Sequence, residues 1–120
     1  MWLSSVPPIE PDLTCSVAGR GADDVVLRLS GTLSRTPASR RFERSVHERY
    51  IDDGVRRIHL NVRDLDAIDL EGVAVLVHLF RESEQHGKSL TVEGARGPVR
   101  RRLATTGILR IMEPPAASAS

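Results

Sequence analysis

Ile58-His59-Leu60-Asn61-Val62 alternates apolar and polar side chains, and Ile68-Asp69-Leu70-Glu71-Gly72 leads from it into an apolar series of a different period. Alternation at period two is the pattern of a strand with one buried face. Past Gly72, the residues Val73, Leu76, Val77 and Phe80 recur at helical spacing, while Arg81, Glu82, Glu84 and Gln85 fall on the opposite side. The passage therefore predicts a strand, a short loop and a helix running to about His86-Gly87. Asp69 is placed as the N-cap of that helix, and Glu71 lies in its first turn, where a carboxylate complements the dipole.

The same reading extends in both directions. Leu13, Cys15 and Val17 alternate, as do Val25, Leu27 and Leu29, and the Gly19 to Asp24 segment supplies a turn between two antiparallel strands. Gly31 is read as the end of the second strand. Thr36-Pro37 has the form of an N-cap followed by proline at the first helical position. Phe42, Val46 and Tyr50 then give one buried stripe, with Gly54 as the stop. Downstream, Leu90 and Val92 mark a fourth strand. Gly97-Pro98 opens a short helix that buries Val99 and Leu103 and closes at Gly107. Ile108, Leu109, Ile111 and Met112 form a last apolar segment, read as an edge strand.

The order is β-β-α-β-α-β-α-β. Strand–helix–strand alternation after Gly31 implies parallel pairing by right-handed crossovers. The expected fold is α/β, a mixed sheet with helices mainly on one face, because the strands alternate rather than run continuously apolar. One domain over 12–112 is expected, flanked by proline-containing tails at 1–11 and 113–120.

Composition narrows the function. Of the 120 residues, 40% are apolar but only 3% aromatic, so aliphatic side chains must fill the core. Seventeen basic residues against sixteen acidic give a net charge of +1, which excludes a bulk basic footprint for nucleic acid. The single cysteine, Cys15, excludes a disulfide framework and a cysteine-rich zinc site. Neither a membrane span nor a signal peptide is legible. The expectation is a small cytoplasmic protein with no membrane association.

Chemistry is scarce in the pattern. His47, His59, His78 and His86 show no His-x-x-x-His spacing and read as solvated or weakly packed. No nucleophile motif and no phosphate-binding glycine loop is present. Asp64, Asp66, Asp69 and Glu71 crowd into eight residues, a density that suits Mg²⁺ or Ca²⁺, but the spacing fits no EF-hand. Catalysis, a metal and a cofactor are therefore not expected. Two arginine clusters remain: Arg40, Arg41 and Arg44, and Arg96, Arg100, Arg101 and Arg102. The second lies at a helix start, where cations oppose the dipole.

The strand–loop–helix centre, with Ile68-Asp69-Leu70-Glu71-Gly72-Val73, resembles that of the STAS domain as found in anti-sigma factor antagonists, which read Asp-Ser-Ser/Thr-Gly-Leu there. Gly31-Thr32-Leu33-Ser34 is similar to the family's Gly-x-Leu/Ile-Asp turn, apart from its last residue. The segments Gly87-Lys88-Ser89-Leu90-Thr91-Val92, Pro98 to Leu103 and Thr106-Gly107-Ile108 resemble its closing half. The likeness covers roughly residues 11–112. It implies a non-catalytic module that binds an anti-sigma factor or related kinase-like protein, and it leaves room for a homodimer. The family's phosphorylated serine falls on Leu70 and its neighbour on Glu71, so the resemblance implies binding without the usual phosphorylation switch.

The expected partner surface comprises Ser34 and Thr36 at the first-helix turn, Asp69, Leu70, Glu71 and Gly72 at the helix start, and Val75 and His78 along the following helix. Leu70 and Val75 fall outside the inward stripe, which is why they are read as interface residues. The competing reading for Leu70 is a side chain folded back as a hydrophobic staple. Two other functions compete: an accessory subunit of a lipid or anion transport system, and a small enzyme or nucleotide-binding protein built on the carboxylates.

Overall fold

The computed structural model describes residues 13–51, 54–108 and 110. The elements are β1 (Leu13–Arg20), β2 (Asp24–Leu33), α1 (Pro37–Val46) continued by a π-helical turn (His47–Ile51), β3 (Arg57–Ile68), α2 (Leu70–Gln85), β4 (Ser89–Glu93) and α3 (Gly97–Thr105). The four strands form one sheet in the order β1-β2-β3-β4. β1 and β2 are antiparallel, while β2 with β3 and β3 with β4 are parallel. The α/β class, the mixed sheet and the helix positions agree with expectation. No described helix is long and apolar enough to cross a membrane.

Register explains the core. Val25, Ile58 and Leu90 lie side by side across three strands, as do Leu27, Leu60 and Val92, and all six are buried. The intervening rows carry Val26, His59 and Thr91, then Arg28, Asn61 and Glu93, none of them fully buried. One face is thus covered and the other is polar. On the polar face His59 shares hydrogen bonds with Thr91 (2.9 Å) and Asp24 (3.4 Å). Arg57 Nη2 approaches Asp24 Oδ1 to 2.7 Å, and this guanidinium holds the Asp24 carboxyl below its ordinary range.

Several expectations are corrected. Strand β2 does not end at Gly31 but continues to Leu33, and β3 runs past Val62 to Ile68. From Arg28 to Ser30 in β2, β3 advances from Asn61 to Asp64; from Gly31 to Thr32, it advances from Leu65 to Ala67. Each step adds one residue to β3, a pair of bulges. They convert the burial spacing from two to three at Val62, Leu65 and Ile68, which hides the strand from a period-two reading. Cys15 and Val17 share the core face with Leu27 and Leu29 but are exposed, Val17 by 53%, because α1 covers the edge strand only at its Leu13 end. In α2, Leu79 belongs to the buried stripe, whereas Val77 and Phe80 are only partly buried. The backbone at Ile108 and Arg110 is helical rather than extended, and Leu109, Ile111 and Met112 lie outside the described residues, as do both expected tails.

Candidate functional site: the joined starts of α1 and α2

Strands β2 and β3 extend together beyond the end of β4, whose pairing stops at Asn61 with Glu93. Their last register pair is Leu33 with Ile68. That pairing sets the next residues, Ser34 and Asp69, next to each other although 35 positions separate them. Ser34 Oγ donates to Asp69 Oδ2 at 2.5 Å, Asp69 Oδ1 accepts from the Gly72 N–H at 2.8 Å, and the Asp69 N–H donates to the Leu33 carbonyl at 3.3 Å. Asp69 is therefore the N-cap of α2 and the tie to the preceding turn. Donation from Ser34, then from Gly72, holds its carboxyl below the ordinary value.

The α1 side is equally fixed. Thr36 caps α1 by accepting from the Ser39 N–H at 3.1 Å, and Pro37 occupies the first turn. Ser39 is fully buried, and its hydroxyl accepts from the Ser34 N–H at 3.2 Å. Among the described residues no buried side-chain polar atom lacks a partner. The two helix starts thus form one hydrogen-bonded unit.

Gly72 is the spacer that lets α2 approach β2. A Cβ at this position would lie 2.1 Å from the Leu33 carbonyl oxygen and 2.7 Å from Ile68 Cγ1. Gly72 is buried, so it shapes the expected partner surface from beneath instead of standing on it. Leu70, by contrast, is 62% exposed, which overturns the staple reading. Glu71 is exposed beside it. Val75 is half-buried and packs on the core, a correction to its reading as an exposed interface residue.

Between α1 and α2 runs a groove. Its first part, about 280 Å³, is lined by Ser34, Arg35, Arg40, Glu71, Ala74 and Val75, among others. A second part of about 550 Å³ shares Arg40 and Glu43 with it and reaches His47, His78 and Glu82. His78 is exposed and contacts Glu43 and Glu82, and His47 Nδ1 lies 3.1 Å from Glu82 Oε1. The structure thus brings Ser34, Glu71, Val75 and His78 along one seam, with Thr36 and Asp69 holding its end in shape, while Leu70 stands exposed at the start of α2, outside the groove lining. Sequence reasoning missed Arg35 and Glu43 on the opposite wall and singled out Arg40 only as part of an arginine cluster, because nothing in the spacing of α1 says which polar residues face α2.

The carboxylates do not converge. Asp64 faces Arg28 at 3.9 Å, and Asp69 is committed to Ser34 and Gly72. Among the described residues, no group of three histidine, cysteine or acidic side chains is arranged to hold a metal ion.

A family model described as STAS domain matches residues 17–119. The chain belongs to the STAS domain family. Among solved structures, this STAS domain is similar to the anti-sigma factor antagonist SpoIIAA in its unphosphorylated form. The identity is 20% and the TM-score 0.72, covering 88% of this chain and 92% of that one. It is also similar to an anti-sigma factor antagonist from Mycobacterium paratuberculosis, at 17% identity and TM-score 0.68, covering 92% and 93%. The murine anion transporter Solute Carrier 26 family member A9 matches at 17% identity and TM-score 0.65, over 77% of this chain and 15% of the transporter. At these identities the likeness is one of fold. A comparison with curated proteins finds no matching relative.

Proposed function

We propose that this STAS domain is a non-catalytic, cytoplasmic interaction module that binds an anti-sigma factor or related kinase-like protein through the joined starts of α1 and α2. The observation that carries the reading is Leu70, an aliphatic side chain 62% exposed on a helix start tied by Ser34, Asp69 and Gly72. An exposed leucine on a rigid element, next to Glu71 and to the polar groove that Glu71 lines with Arg35 and Arg40, supplies the apolar centre and polar rim of an interface. The fold shared with two anti-sigma factor antagonists supports the choice of partner. Phosphoryl transfer needs a side-chain hydroxyl, and neither Leu70 nor Glu71 has one. Binding is therefore not switched at that motif, and no cofactor is called for.

Affinity purification of the tagged full chain from its native host, beside Leu70→Asp, tests the reading. The wild type is expected to retain a kinase-like protein that the variant loses, at unchanged melting temperature. Incubating that complex with ATP is expected to give no phosphorylated peptide over residues 69–72. Equal capture by both proteins refutes the surface. Recovery of a transport ATPase or permease instead would favour the transport-accessory reading, which the likeness to the anion transporter supports.

A further inference from the structure

We propose that β1 is a self-association edge, on which two copies of this chain pair Leu13-Thr14-Cys15-Ser16-Val17 antiparallel about Cys15. β1 ends the sheet, and among the described residues no strand pairs with its outer side. Edge strands are usually blunted by lysine, proline or a bulge. From Leu13 to Gly19 this strand carries neither charge nor proline, and its bulge, at Ala18, falls beyond the five residues that pair. β4, at the opposite edge, differs: its apolar residues, Leu90 and Val92, are both buried.

The core face of β1 is apolar and open. Val17 and Leu70 are the exposed large hydrophobic side chains among the described residues, and Val17 has no part in the seam between α1 and α2. Cys15 shares a shallow concavity of about 240 Å³ with Leu13, Ala38, Arg41 and Phe42, and partial burial there pushes its thiol above the ordinary value.

The order of residues selects a second copy as the occupant. A two-fold interface pairs one patch with itself, so the patch must be self-complementary. Leu-Thr-Cys-Ser-Val has the same character in both directions from Cys15. Antiparallel pairing about that residue sets Leu13 opposite Val17 of the other copy, Thr14 opposite Ser16, and the two cysteines opposite each other. Opposite residues share a face, so apolar meets apolar on the helix-bearing side and hydroxyl meets hydroxyl on the other. No like charges meet, since Arg20 lies three residues past Val17. The arrangement also supplies what each strand lacks. α1 covers β1 only at its Leu13 end, and the pairing brings that covered end beside the open Val17 end of the other copy. An acidic or basic segment would find no counter-charge along these five residues.

Sedimentation equilibrium of the full chain from about 10 μM to about 1 mM, the range of a small interface, is expected to show monomer passing to dimer. Val17→Lys should raise the dissociation constant about tenfold or more, because each copy loses an aliphatic contact and gains a charge at the edge. Leu70→Asp should leave it unchanged, which separates this surface from the proposed anti-sigma factor site. Circular dichroism of dilute samples checks that both variants keep the fold. Opposite residues of an antiparallel pair lie about 5 Å apart, whereas residue 17 of one copy would lie about 14 Å from residue 17 of the other. A short bis-maleimide should therefore join wild-type copies through Cys15 but leave Cys15→Ser/Val17→Cys copies unjoined. Monomer throughout the range, as when another segment of the chain takes the edge, would overturn the proposal. So would a dimer insensitive to Val17→Lys, one broken by Leu70→Asp, or equal cross-linking from positions 15 and 17.

Discussion

Substituting Gly72 by alanine adds one methyl group where α2 meets β2, 2.1 Å from the Leu33 carbonyl oxygen and 2.7 Å from Ile68 Cγ1. The first neighbour is backbone at the end of β2, held there by its pairing with β3, not the end of a side chain that could swing away. Gly72 has no positive φ, so the argument is one of space alone. Overpacking of this kind costs about 1–3 kcal/mol. Moving α2 away also strains the Asp69 N–H to Leu33 bond and the Ser34 to Asp69 bond, adding about 0.5–1.5 kcal/mol for each one lost. Alanine returns up to about 1 kcal/mol of helix propensity. The net expectation is a loss of about 2–4 kcal/mol, or roughly 8–15 °C in melting temperature for a domain of this length. Urea unfolding by circular dichroism measures it. Gly21→Ala serves as the control, with nothing within 4 Å of the added carbon and no positive φ, and should be close to neutral. A Gly72→Ala protein within about 0.5 kcal/mol of wild type would refute the close approach of α2 to β2.

Two further outcomes follow from the same geometry. The Asp69 carboxyl is held below its ordinary value of 3.8, so its contribution to stability is full above that value and disappears as pH falls through the lower folded-state value. Asp69→Asn should therefore be about 0.5–1 kcal/mol less stable than wild type at pH 6, with the gap closing below about pH 4 in denaturant titrations; a gap that widens in acid contradicts the assignment. Val75→Asp places a charge on a half-buried, core-packed position and should cost about 1–2 kcal/mol, whereas Leu70→Asp should stay within about 0.5 kcal/mol. Paired thermal melts distinguish the two, and equal losses would put Leu70 in the core.

The strands with clean alternation, the Thr36-Pro37 and Asp69 caps, and the inward faces of α1 and α3 were legible in the sequence because each depends on neighbours within about four residues. So was the resemblance to the STAS family, carried by three motifs in order. The adjacency of Ser34 and Asp69 was not, because it follows from the pairing of Leu33 with Ile68 across two bulges. A bulge is set by how β3 fits β2 and leaves no fixed residue type behind. The same limit misjudged Val17 and Cys15, whose strand pattern is correct but whose exposure depends on how far the helices reach across the sheet. Local order is written in periodicity and caps. Which carboxylate receives the Ser34 hydroxyl and whether Leu70 turns inward or out are long-range outcomes of packing, and only the folded chain decides them.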